Sequence, residues 1–131
     1  MTPETTMPRL TQRLRERNRE ALAAMIAAED EAEQKRQTLD LEGSNAWERL
    51  AVVAQKDSGQ SHHCRRVLLS VYNSYAWPLD LTRLRVLDRD LQQAALTVIE
   101  WSLYASDEPH EYTPGGNKLM QRFAAIEKEE Q

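Results

Sequence analysis

The sequence predicts an all-α fold. Three observations predict it. Only four Gly and five Pro occur in 131 residues, too few for the turns an all-β chain needs. Helix-forming Ala, Leu, Arg, Glu and Gln dominate a Gly- and Pro-free run from Arg9 to about Thr38. Apolar residues recur at three- and four-residue steps through most of the rest. The expected architecture is a small helical domain of about five helices plus a short helical turn, led by a long N-terminal helix.

The elements follow in order. Residues 1–7 are polar and are expected to be disordered. Pro8 suits a first helical turn, where its missing N–H costs nothing. The first helix is expected from there to about Thr38. Leu14, Asn18, Ala21, Met25, Ala28, Ala32, Lys35 and Leu39 form a thin apolar stripe on it, with Leu10 one turn earlier. Either the helix packs on the domain or it projects and pairs with a partner or its own copy. A polar Asn18 in such a stripe is a register device of coiled coils. The acidic run Glu29, Asp30, Glu31 and Glu33 reads as a solvated face.

Leu41-Glu42-Gly43 is expected to end this helix, with residues 44–131 as the compact core. Ser44 or Asn45 then caps a second helix, with Glu48 in capping-box position and Trp47, Leu50, Ala51 and Ala54 buried. Lys56-Asp57-Ser58-Gly59 is a turn. Ser61 is an N-cap for a third helix to Asn73, buried through Cys64, Val67, Leu68, Val71 and Tyr72, with Arg65 and Arg66 facing away. Tyr75-Ala76-Trp77-Pro78 is expected to be extended, because residues before proline avoid the helical region. Asp80 caps a helical turn, and Asp88 a helix to about Tyr104 whose apolar face is Leu91, Ala94, Ala95, Val98, Trp101 and Ser102. Breaks at Pro109 and Pro114-Gly115-Gly116 precede a last helix, capped by Asn117, with Leu119, Met120, Phe123 and Ile126 inward.

Bulk properties bound the function. The chain fits one domain and can bury roughly two-thirds of its unfolded surface. No apolar run approaches a membrane span, the N-terminus has no signal-like apolar segment, and one Cys fits a reducing compartment. Cytoplasmic residence is therefore expected. The net charge of −4 alternates along the chain: +2 over residues 1–20, −4 over 21–60, +2 over 61–90 and −4 over 91–131. Such alternation weakens the case for a duplex nucleic-acid binder.

No metal, cofactor or catalytic set is expected. His62 and His63 are adjacent, so on a helix they point about 100° apart and cannot both ligate one ion. Cys64 falls on the core face, and pairing it with His110 as nucleophile and base finds no oxyanion loop nearby. The arginines are the better candidates. Arg and aromatic residues together compose protein-interface hot spots and single-stranded nucleic-acid grooves. The expected partner-binding residues are Arg65, Arg66, Tyr75, Trp77, Arg83 and Arg85, with Arg13 and Arg17 of the first helix as a second surface. The expectation is a non-enzymatic protein that docks on a protein or nucleoprotein complex. A nucleic-acid-binding accessory or regulator using the same arginines is the alternative. A homodimer through the N-terminal helix is a further expectation.

The runs HHCRRVLLSVYN and WPLDLTRLRVLD, followed by PHEY and PGG as far as Phe123, resemble a group of small bacterial proteins carried on conjugative elements, plasmids and phage-like islands. The resemblance covers residues 61–123. No activity is established for that group, so it implies no functional residue. It implies an accessory gene of a mobile element, a setting in which small acidic proteins often inhibit host defence, as anti-CRISPR proteins do.

Overall fold

The computed structural model describes residues 8–129 and, among them, contains helices and no strand. In order they are α1 (Arg9–Ala54), α2 (Ser61–Tyr72), α3 (Thr82–Val86), α4 (Arg89–Tyr104), a 3-10 helix (Pro109–Tyr112) and α5 (Gly116–Glu129). The all-α class, the long first helix and the short α3 are as the sequence indicates. The expected disorder of residues 1–7 lies outside the described residues.

The chain divides between Gln34 and Lys35 into two units. In the first, residues 9–34 are helical, and every side chain except the half-buried Thr11 is exposed. In the second, α2 is the central element. It packs against α5, α4, α3 and the 3-10 helix. The core gathers Trp47, Leu50 and Ala54 of α1, Val67, Leu68 and Leu69 of α2, Val98 and Trp101 of α4, and Met120 and Phe123 of α5.

Two expectations are corrected. The first helix does not end at Gly43: α1 continues for 46 residues. Gly43 is buried, and a Cβ there would lie 2.8 Å from Trp101 Cβ and closer still to the indole ring. The glycine is therefore a seat for Trp101, not a stop signal. Trp101 Nε1–H donates to Asp40 Oδ1 one turn earlier, at 2.9 Å, which fixes the ring over that seat. Ser44 caps nothing, and its hydroxyl bonds back to the Leu41 carbonyl within the helix. The second correction concerns residues 74–76, which form a turn rather than an extended run. Asn73 holds it: its backbone carbonyl accepts from Trp77 N at 2.9 Å and its Oδ1 from Ala76 N at 3.2 Å.

Smaller differences have local causes. The Ser61 hydroxyl accepts from Ser58 N at 3.0 Å, closing the preceding turn, and the N-cap position is Gln60. Asp88 occupies the N-cap of α4 without a side-chain capping bond. Asn117 lies inside α5, and its Oδ1 accepts from the Tyr72 hydroxyl. Ser102, expected inward, is exposed.

Candidate functional site

Two of the expected contact arginines, Arg65 and Arg66, converge instead on Glu127, which the sequence shows only as one of several acids at the end of the last helix. Glu127 is fully buried on α5. Arg65 Nε donates to its Oε2 at 2.8 Å, and Arg66 Nε to its Oε1 at 2.6 Å. His62 Nδ1 stands 2.6 Å from the same Oε1. Burial alone would raise the Glu127 carboxyl. The bonds from Arg65, Arg66 and His62 outweigh it and bring the carboxyl down to about 2.

Arg65 is 4% exposed, so the expectation that it faces away from the core is corrected. Its Nη1 also donates to the Ala54 carbonyl at 2.9 Å, tying the end of α1 to α2 and α5. The reason lies in α2 itself. A helix surrounded by other elements buries more than one stripe, and a charged residue on it must find a buried partner.

Arg83 extends this network. Its Nη1 lies 3.0 Å from His62 Nε2 and 3.3 Å from His63 Nδ1. A guanidinium only donates, so both ring nitrogens accept. That leaves Nδ1 of His62 as the N–H that faces Glu127. Burial lowers the His63 pKa, and the charge of Arg83 lowers it further.

Trp77 is also internal, at 7% exposure, with the Arg66 guanidinium 4.8 Å from its ring centroid. This cation–π contact holds the turn onto α2. Tyr75, two residues earlier, is 96% exposed. Of the eight expected contact residues, Arg65, Arg66 and Trp77 are thus occupied within the fold and Arg83 is partly so. Tyr75, Arg85, Arg13 and Arg17 are exposed.

The residues considered for chemistry sit in structural roles. Cys64 is fully buried in the core, and burial pushes its thiol up to about 11. His110 lies in the 3-10 helix, edge-on to Tyr72 with centroids 4.8 Å apart. Among the described residues, no group of three His, Cys, Asp or Glu is placed to hold a metal ion.

One surface sets Arg85 beside apolar side chains. Between α3 and α4 runs an open groove of about 190 Å³, lined by Leu84, Arg85, Gln92, Gln93 and Leu96. Gln92 Nε2 donates to the Leu84 carbonyl at 2.8 Å and fixes its floor. The outer face of α4 continues the apolar surface at helical spacing: Leu96 is 51% exposed, Ile99 half-buried and Leu103 78% exposed. The sequence reading found Arg85 but not these leucines. An exposed Leu on an amphipathic helix reads as an imperfection of its polar face until the structure shows the groove beside it.

Residues 44–128 match the model of a family of unknown function, DUF7673. The chain belongs to this family. No curated protein and no solved structure matches it. The matched span holds the Glu127 network and the α3–α4 groove. No described helix is long and apolar enough to cross a membrane.

Proposed function

We propose that this DUF7673 protein is a non-catalytic binding protein whose α3–α4 face docks on a protein partner, alone or within a nucleoprotein assembly, and modulates it. The observation that carries the reading is the groove itself: Arg85 stands at an opening whose other walls are Leu84 and Leu96, with Leu103 exposed two turns further along α4. An arginine beside exposed apolar side chains offers a partner both a charged and an apolar contact, and arginine is among the residues enriched in interface hot spots. It fits an amphipathic helix or loop that presents an apolar anchor next to an acidic residue. Burial of Cys64 and its raised thiol pKa argue against a nucleophile there.

The resemblance of residues 61–123 to mobile-element proteins supports a narrower version: an accessory inhibitor of host defence, of the anti-CRISPR kind. The nucleic-acid alternative has less support, because Arg65 and Arg66 are engaged by Glu127 and Trp77 is covered.

The test is affinity capture from the native host, comparing the full-length protein with Arg85→Glu and Leu96→Asp. Both positions are exposed, so both variants should keep the wild-type circular dichroism and melting profile. A partner retained by the wild type and lost by both variants supports the assignment. A partner retained equally by all three removes the α3–α4 face from it.

A further inference from the structure

Residues 9–34 carry an apolar seam of solvent-exposed side chains. Leu10, Leu14, Leu22, Met25 and Ile26 are 47–69% exposed. Along this segment, like charges at i and i+4 in Arg13/Arg17, Arg15/Arg19 and Glu16/Glu20 are set against opposite charges at i and i+3 in Arg13/Glu16, Glu16/Arg19 and Arg17/Glu20. Its charge is also segregated: the arginines occupy its first half, and Glu29, Asp30 and Glu31 its second.

We propose that this segment pairs with the same segment of a second copy of the chain, antiparallel, in the register that sets Leu14 opposite Ala32 and Ala21 opposite Met25. Two independent features of the sequence select this arrangement. The first is layer volume. Positions 14, 18, 21, 25, 28 and 32 step by four and three, as the seam of a two-stranded coil does. In the antiparallel register the layers are Leu14 with Ala32, Asn18 with Ala28, and Ala21 with Met25, each then repeated by symmetry. Every layer joins one alanine to one larger side chain. A parallel pair would stack Leu on Leu, Asn on Asn and Met on Met in three layers and Ala on Ala in the other three, and so would leave the layers unequal in volume.

The second feature is charge. The positions flanking the seam are 15, 22 and 29 on one side and 17, 24 and 31 on the other. Antiparallel pairing faces Arg15 with Glu29 of the second copy, and Arg17 with Glu31 of the second copy. By symmetry that makes four opposite-charge pairs. Leu22 meets its own copy across the same flank. Within residues 9–34, parallel pairing would face Arg17 with Leu22 and Ala24 with Glu29, which do not attract; its one opposite-charge pair, Glu31 with Arg36, lies at the segment's edge. Charges at these positions set partner choice and orientation. Ile26 lies off this seam and plays no part in it. The pairing does not depend on the α3–α4 docking reading, since it uses a different segment.

The test uses the full chain. Sedimentation across a range of concentrations should show the 15.1 kDa monomer giving way to a species of twice that mass. Arg15→Glu with Arg17→Glu should weaken association about tenfold or more. Adding Glu29→Arg and Glu31→Arg to the same chain should restore it. Orientation is read by cross-linking under mild oxidation: a mixture of Leu14→Cys and Ala32→Cys chains should form the disulfide, and Leu14→Cys alone should not. A monomer at every concentration overturns the proposal. So does self-cross-linking of Leu14→Cys, or failure of the fourfold charge swap to restore association while helicity by circular dichroism is unchanged.

Discussion

Replacing Glu127 by Gln tests the electrostatic centre of the body at nearly constant volume. The wild-type carboxylate is fully buried and accepts from Arg65, which is itself 4% exposed, and from Arg66. Depression of its pKa from 4.5 to about 2 bounds the charged form's contribution. At 1.36 kcal/mol per pH unit, that bound is about 3 kcal/mol. Solvent reaching the His62 side chain, 34% exposed, screens part of it. The substitution also removes the carboxylate that faces the Arg65 guanidinium, whose bonds to the Ala54 and Lys56 carbonyls stay. Breaking a buried ion pair from one side costs about 3–5 kcal/mol. That is a large share of the 5–15 kcal/mol typical of a whole domain.

The assay is urea unfolding followed by tryptophan fluorescence, since Trp47, Trp77 and Trp101 are all buried. The pH dependence gives a second reading. The folded-state value lies below the unfolded one, so the carboxylate's contribution is complete above about pH 4.5 and is lost as pH falls towards 2. The gap between wild type and Glu127→Gln should therefore be widest near neutrality and close in acid. Subtracting the two proteins cancels the other carboxylates. A loss under about 1 kcal/mol near pH 7, or a gap that does not narrow in acid, refutes the network's role in holding α5 to α2.

Two further substitutions separate packing from surface. Gly43→Ala gains roughly 1 kcal/mol of helix propensity. The overlap of the new methyl with the fully buried Trp101 outweighs it, so a net loss of about 1–3 kcal/mol is expected in the same urea assay. A gain in stability would show that Trp101 can move aside. Trp77→Ala should cost about 3–5 kcal/mol, through lost burial and the contact with Arg66. Tyr75→Ala should stay within about 0.5 kcal/mol. Equal effects at the two positions would contradict the assignment of Trp77 to the core and Tyr75 to the surface.

Periodicity made most of the body legible. Trp47, Leu50, Ala51 and Ala54 are buried as their spacing indicates, and so are Leu91, Ala94, Ala95, Val98 and Trp101. What escaped depends on contacts distant in sequence. Gly43 followed by Ser44 and Asn45 has the local chemistry of a helix end and a new cap. Only the indole of Trp101, 58 positions later in the chain, makes it a helix interior. Arg65 and Arg66 look like solvated residues because their partner is 61–62 positions away and looks, in turn, like one of several acids at a helix C-terminus. Glu127 lies one helical turn after Phe123, on the buried side of α5, and that spacing was the available signal. An acid on an apolar stripe calls for a buried cation, and Arg65 on the crowded α2 supplies it.

The extent of the family match separates two kinds of surface in the chain. The match begins at Ser44, inside α1, and ends at Lys128, one residue past Glu127. It therefore takes in the ion network, the Trp77 turn and the α3–α4 groove, and leaves out residues 9–34. A helix that crosses such a boundary without a break gives both parts one continuous backbone, and Gly43, just outside the match, is where that continuity depends on Trp101 inside it. The proposed docking residues Arg85 and Leu96 lie within the match, and the proposed pairing residues Arg15, Arg17, Glu29 and Glu31 lie outside it. The two activities are separable by substitution: variants at Arg85 should leave the oligomeric state unchanged, and the charge swap in α1 should leave the α3–α4 groove intact. Loss of both from a single exposed substitution would mean that the two surfaces act as one.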